Sequence, residues 1–140
     1  MVKPGESVKG YNFADVTGRV IGAAIEVHRE LGPGFQEVVY QRALELELEA
    51  AGIPFAREEN VPVYYKGRHI DTRRVDFVIG DCIVEIKARK ALLPEDVIQT
   101  ISYLKASGFR LALLINFGAE KVEVKRLVND RWRARPEAGV

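Results

Sequence analysis

Residues 75–90 read VDFVIGDCIVEIKARK, and the reading of the whole chain turns on this stretch. Two apolar runs, Val75 to Ile79 and Cys82 to Ala88, flank Gly80-Asp81, the sequence signal for a two-residue β-hairpin. Strand side chains alternate between faces, so Glu85 and Lys87 share one face, opposite to Val84, Ile86 and Ala88. Counting outward from the turn pairs Ile79 with Cys82, Val78 with Ile83, and Asp76 with Glu85. Two acids then face each other in an otherwise apolar hairpin, a like-charge pair that costs about 0.2–1 kcal/mol. A hard cation would compensate, because opposed carboxylates with Cβ atoms ~5 Å apart can each give one oxygen to the same Mg²⁺. Lys87, one pleat further on, is placed to hold a water or a phosphate oxygen as a point charge. The alternative is a solvated strand face carrying a Glu-Lys pair.

Composition narrows the class. The chain has 140 residues, 47% of them hydrophobic and 29% charged, which suits one domain with a single core over residues 1–140. The Gly-, Pro- and charge-rich residues 1–12 and the basic end at 134–140 are expected to be loose. A formal net charge of +1 at pH 7 argues against a protein that coats nucleic acid by bulk electrostatics, but leaves room for a local basic groove. The single cysteine, Cys82, excludes an intrachain disulfide and reads as a small core residue in a reducing compartment. No apolar run approaches the ~18 residues of a membrane span, and the first residues lack the apolar segment of a signal peptide. The cytoplasm is the expected compartment.

Outward from the hairpin, helical periodicity begins at Asp15, placed as a cap, and carries Val16, Val20, Ala23, Ala24, Val27 and Leu31 to a stop at Gly32. His28 lies beside that stripe, where a structural role is the commoner one. After Gly32-Pro33-Gly34 a second helix is expected from about Phe35 to Ala51, with Val39, Ala43, Leu46 and Ala50 apolar. Glu37 suits the first turn of that helix through its dipole alone, and Tyr40 shares its face. Asn60 to Tyr65, the Lys66-Gly67 turn and Arg68 to Ile79 extend the hairpin into a three-stranded antiparallel meander; Tyr64 and His69 have no evident partner. Pro94 opens a third helix that runs to Ser107 and carries Gln99 and Tyr103 as an i, i+4 pair, with Val97, Ile101 and Leu104 as its buried stripe. Arg110 to Asn116 reads as a strand buried on both sides, and Lys121 to Val128 as a more exposed one at which a homodimer could pair edge to edge. The order helix, helix, three strands, helix, strand, strand implies an α/β fold with a single mixed β-sheet and an antiparallel meander flanked by helices.

With these motifs placed, the chain resembles the GxxExxY proteins, a branch of the PD-(D/E)XK nuclease superfamily. The name motif stands as Gly34-Phe35-Gln36-Glu37-Val38-Val39-Tyr40, preceded by VHRELGPG, and the resemblance covers roughly Ala14 to Val128. It implies a restriction-endonuclease-like core whose catalytic set is similar to Asp76, Glu85 and Lys87. Val75 stands where the superfamily name has Pro. Gln99 and Tyr103 resemble the Q-x₃-Y helix motif of RecB-type and lambda-exonuclease-type members, which implies a part in orienting the site or the nucleic acid. Glu37 is similar to the acid those enzymes carry on the helix before the sheet, and His28 to an upstream metal-ligand histidine.

The resemblance and the residues together imply a nuclease that hydrolyses phosphodiester bonds, most naturally of DNA. Its Mg²⁺ or Mn²⁺ would be held by Asp76, Glu85 and the backbone carbonyl of Ile86, joined by Glu37 and His28. Arg73, Arg74, Arg89 and Lys90 surround the hairpin and suit phosphates, or equally a solvated strand edge. The alternative function is a catalytically silent nucleic-acid-binding or protein-interaction module on the same fold.

Overall fold

In the computed structural model, which describes residues 13–133, the elements follow the order α1 (Phe13–Leu31), α2 (Glu37–Ala50), β1 (Ala56–Tyr65), β2 (Arg68–Ile79), β3 (Cys82–Lys87), α3 (Pro94–Ser107), β4 (Leu111–Asn116) and β5 (Glu123–Val128). The strands form one five-stranded sheet in the order β1-β2-β3-β4-β5. β1, β2 and β3 make the antiparallel meander. The β1–β2 turn has Lys66 at φ 48° and Gly67 at φ 78°, the two left-handed positions of a type I′ hairpin. Leu111 N–H donates to Asp81 O and Phe117 N–H to Lys87 O, so β3 and β4 advance in the same direction, with α3 as the crossover. Asn129 N–H donates to Arg110 O while Asn116 reaches Glu123, which makes β4 and β5 antiparallel. The sheet is therefore mixed, as the element order implies.

The chain divides into two compact units. Among the described residues one comprises those up to Pro54 together with Ile86–Ala91 and Ile115–Val124; the other comprises Phe55–Glu85, Leu92–Leu114 and those from Lys125 onward. β3, β4 and β5 contribute residues to both.

In the first unit the stripe on α1 is buried as its spacing requires: Val20, Ala23, Ala24 and Val27 are all inside. The helix starts two residues earlier than its periodicity suggests, so Asp15 falls within it rather than capping it. α2 departs further from expectation. Its buried positions are Tyr40, Gln41, Leu44 and Leu48, whereas Leu46 is 67% exposed. The sequence ALELELEA offers two apolar faces of similar strength, and the one that carries the aromatic ring is buried, where a ring hides the most surface. Tyr40 consequently turns inward while Glu37 stays exposed, and the two do not share a face. The Tyr40 ring stacks on Phe117 at 4.8 Å between centroids with 5° between planes.

In the second unit Val61, Val75, Ile83, Leu104 and Ala112 form a buried cluster, with Val78, Phe109 and Leu127 packed against it. Phe55 meets Phe77 edge to face at 5.5 Å. α3 has the limits its punctuation marks. Pro94 is its first residue, the Asp96 carboxylate accepts Leu93 N–H at 2.9 Å, and Gly108 at φ 79° ends it. Its buried residues are Asp96, Thr100, Leu104 and Ser107, with Val97 and Ile101 only half-buried. β1 begins at Ala56 rather than near Asn60. The polar run Arg57–Asn60 carries no apolar alternation to announce a strand, yet it pairs along β2 because β1 is an edge and its outward groups stay wet. Tyr64 and His69 are a cross-strand pair, their rings 6.2 Å apart. Near the end of the described chain the Arg110 guanidinium lies over the Trp132 ring at 4.7 Å. The expected loose segments, 1–12 and 134–140, lie outside the described residues. Among those described, no helix is long and apolar enough to cross a membrane.

Cys82 is 2% exposed, and burial pushes its thiol up to about 12 from an ordinary 9.0. A buried neutral thiol is a poor nucleophile. At about pH 8 the native protein should react with a disulfide reagent far more slowly than the urea-unfolded chain, which releases one equivalent of chromophore. Equal rates in the two states would show that β3 opens readily.

Candidate active site

Glu85 is the residue from which the site is best built. It sits in β3 between Val84 and Ile86 and is only 6% exposed, in a strand whose other residues through Ile86 are apolar and buried. A carboxylate there needs a partner. The sequence reading assigns that part to a metal; in the structure the Arg73 Nε–H donates to Glu85 Oε2 at 3.0 Å. The Arg73 guanidinium carbon in turn lies 4.4 Å from the centre of the Tyr103 ring on α3. Glu85, Arg73 and Tyr103 thus form a chain of carboxylate, cation and aromatic face, all in the second unit.

Strict alternation does not place Arg73 there. The observed pairs between β2 and β3 are Ile79 with Cys82, Val78 with Ile83, and Phe77 with Val84, one step short of Asp76 and Glu85. From these pairs alternation would send Val75 and Arg73 to the face of Val84. Instead Val75 shares a buried cluster with Ile83, and Arg73 bonds Glu85. The strand therefore changes face by one residue between Val75 and Val78. β1 marks the same point: Arg57 pairs with Phe77 and Glu59 with Val75, and the intervening step, Glu58 beside Asp76, is absent from the ladder. Glu58 is held at φ 53°, a left-handed conformation that few non-glycine residues adopt. Asp76, half-buried, stands at this irregularity.

The remaining expected site residues are placed as follows. Lys87 is the last residue of β3, two positions beyond Glu85, and its carbonyl accepts Phe117 N–H at 2.9 Å. Ile86 is 2% exposed. Gln99 is exposed on α3 one turn before the half-buried Tyr103. In the first unit, Glu37 is the exposed first residue of α2. His28 lies in the last turn of α1, where its Nε2 is 2.8 Å from Ala119 O. A carbonyl can only accept, so Nε2 carries a proton.

The segment following Lys87 is fixed by a residue that the sequence reading passed over. Asn116 is fully buried; its Oδ1 accepts Arg89 N–H at 2.8 Å and Gly118 N–H at 3.1 Å, while its Nδ2 donates to Arg89 O at 2.9 Å and Glu123 Oε1 at 2.8 Å. One side chain thereby substitutes for two partners of a β-ladder. Gly118 completes the fit, since a Cβ there would lie 2.4 Å from both the Arg89 backbone N and O. The signal was present in the run LALLIN: a polar residue closing a strand buried on both sides must be hydrogen-bonded.

A family model described as the PD-(D/E)XK nuclease superfamily matches residues 14–127, a span that holds all of the residues above. The chain belongs to the PD-(D/E)XK nuclease superfamily. No curated protein and no solved structure matches it. For this superfamily member the match accounts for the mixed sheet and the order of elements. The residue that holds Glu85 in place, Arg73, comes from the structure. No pattern of spacing marks it, because its position depends on the change of face in β2.

Breaking a buried ion pair leaves the deeper charge less well compensated. Arg73→Met should destabilise the fold by about 3 kcal/mol, whereas Arg73→Met combined with Glu85→Met should recover most of that loss. Urea denaturation of the wild type, both single variants and the double variant gives the coupling energy; a value near zero would show that Glu85 does not depend on Arg73.

Proposed function

We propose that the chain is a metal-dependent nuclease that hydrolyses phosphodiester bonds, with DNA as its substrate class and the GxxExxY proteins as its branch of the superfamily. The observation that carries the reading is a buried, ion-paired carboxylate, Glu85, two residues before Lys87 on the strand next to the one that holds Asp76. A structural sheet needs no acid there.

The donor set suits a small hard cation. Asp76, Glu85 and the Ile86 carbonyl offer oxygen only, and Mg²⁺ ordinarily takes one or two carboxylates while keeping several waters. Among the described residues no group of three or more His, Cys, Asp or Glu gathers as a metal cage, which counts against Glu37 and His28 joining Asp76 and Glu85 around one ion. When bound, Mg²⁺ or Mn²⁺ would lower the pKa of a water and neutralise charge on the phosphodiester.

The chain's own groups supply the positioning. The Lys87 ammonium donates to the attacking water or to a phosphate oxygen. Arg73 orients Glu85, and the Tyr103 ring holds the Arg73 plane. Gln99, one turn earlier on α3, joins Tyr103 on the strength of the Q-x₃-Y resemblance. Glu37 and His28 enter on resemblance alone.

The Arg73–Glu85 pair also favours a second reading, a nucleic-acid-binding module in which arginine has taken the place of the cation and no turnover occurs. End-labelled DNA incubated with Mg²⁺, Mn²⁺ or EDTA separates the two. Cleavage that requires the metal is expected, and Lys87→Ala should abolish it. The same variant should keep the rise in melting temperature given by Mn²⁺, which reaches about 2.7 kcal/mol of added stability at a hundredfold excess over Kd. Full cleavage by Lys87→Ala would sink the mechanism. No cleavage by the wild type under any metal would leave the binding module.

A further inference from the structure

Beyond Lys87 the chain enters a concavity of about 430 Å³ lined by Pro33, Gly34, Phe35, Arg89, Lys90 and Gly118, all in the first unit. That size falls in the roughly 300–1,000 Å³ range of sites that enclose a small organic group. Its chemistry is an aromatic face beside two cations. Phe35 is 46% exposed, a large apolar ring left in water, and Arg89 and Lys90 are both exposed.

Both walls are rigidly held, which distinguishes the concavity from a chance dent. On one side the Tyr40 hydroxyl donates to Gly32 O at 2.6 Å and accepts Phe35 N–H at 3.2 Å, and the Tyr40 ring meets Phe35 edge to face at 6.0 Å. Gly34, at φ 117°, makes a turn that a side chain would strain. On the other side Asn116 holds both polar groups of the Arg89 backbone, and Gly118 packs directly against it. The two anchors meet in the Tyr40–Phe117 stack, with Phe117 between Asn116 and Gly118 in the chain. The first and last residues of the G-x-x-E-x-x-Y motif thereby act together to present the ring of the residue between them.

We propose that this concavity binds one nucleotide of a single nucleic-acid strand, its base against the Phe35 ring and its phosphates on Arg89 and Lys90. The substrate class rests on the nuclease reading above. A base in a duplex has both faces covered by its neighbours, whereas an unpaired base offers a π-face to a side chain of this kind. Cations beside the ring then take the flanking phosphates. A second concavity, lined by Tyr64, Tyr65, Lys66 and Lys105, has a similar composition; there Lys66 lies 5.5 Å from the Tyr65 ring centre and Lys105 pairs with Asp130 at 3.5 Å.

The test is fluorescence anisotropy in EDTA, so that binding is read without turnover. The probes are a labelled oligo-dT strand of roughly 12 nucleotides and a blunt duplex of the same length. The wild type should bind the strand more tightly than the duplex. Phe35→Ala should weaken strand binding about 5- to 150-fold while leaving duplex binding unchanged, and Phe35→Trp should retain it. Arg89→Gln with Lys90→Gln should lower the slope of log affinity against log salt by about 1.4. Tyr65→Ala, the control at the second concavity, should bind as the wild type. Equal affinity for strand and duplex overturns the proposal. So does wild-type strand binding by a folded Phe35→Ala, or by Phe35→Trp a loss as large as that of Phe35→Ala. Strand binding that depends on Phe35 without any metal-dependent cleavage would keep this inference and remove the nuclease reading; cleavage with strand binding indifferent to Phe35 would do the reverse.

Discussion

A carboxylate buried in a β-sheet sets the terms for this protein. A carboxylate among Ile83, Val84 and Ile86 needs polar partners, and Arg73 reaches Glu85 because β2 changes face by one residue between Val75 and Val78. That change needs a neighbour able to yield at the same point. Glu58 supplies it by taking a left-handed backbone, a conformation that costs roughly 1–3 kcal/mol for a residue of its kind. The strain, the change of face and the ion pair are thus one arrangement spread over three strands. Tyr103 closes it from α3, so the helix and the sheet are coupled through a charge as well as through apolar packing.

The first unit solves a different problem by neutral hydrogen bonds. Loops that carry Phe35 and Arg89 have backbone groups that no strand or helix can satisfy, and each group left unsatisfied would cost about 1–3 kcal/mol. Tyr40 and Asn116 meet that demand with a hydroxyl and an amide, both fully buried, and each bonds more than one backbone group. Of the motif residues on α2, Tyr40 therefore does its work inside the fold, while Glu37 and Val38 face solvent from the same turn.

Those features which a short stretch of chain determines were legible in the sequence. Gly80-Asp81 is enough to close a hairpin, Pro94 and Gly108 are enough to bound α3, and the run Leu111 to Ile115 can only be a strand covered on both sides. Cys82 in an apolar strand could only be core. What escaped was everything decided by a partner distant in sequence. The face α2 buries depends on Phe117, some eighty positions further along; the start of β1 depends on β2 offering it a ladder; and the side on which Arg73 emerges depends on an irregularity shared by two strands. Counting alternate residues outward from the turn is sound for three pairs and fails at Asp76, the first position where the ladder does not continue. The arginine that bonds Glu85 was therefore not recognisable from the sequence.

The edges of the sheet carry a consequence of their own. β1 presents Arg57, Glu58 and Glu59 near one end and Pro62 further along, and Glu58 takes a left-handed backbone at the step where the ladder to β2 is interrupted. Proline removes a donor from the open ladder, and a bent, charged edge offers a poor template for another strand. The irregularity that turns Arg73 toward Glu85 hence also protects a sheet whose interior strand, LALLIN, is the kind of apolar segment that aggregates when it is left uncovered during synthesis.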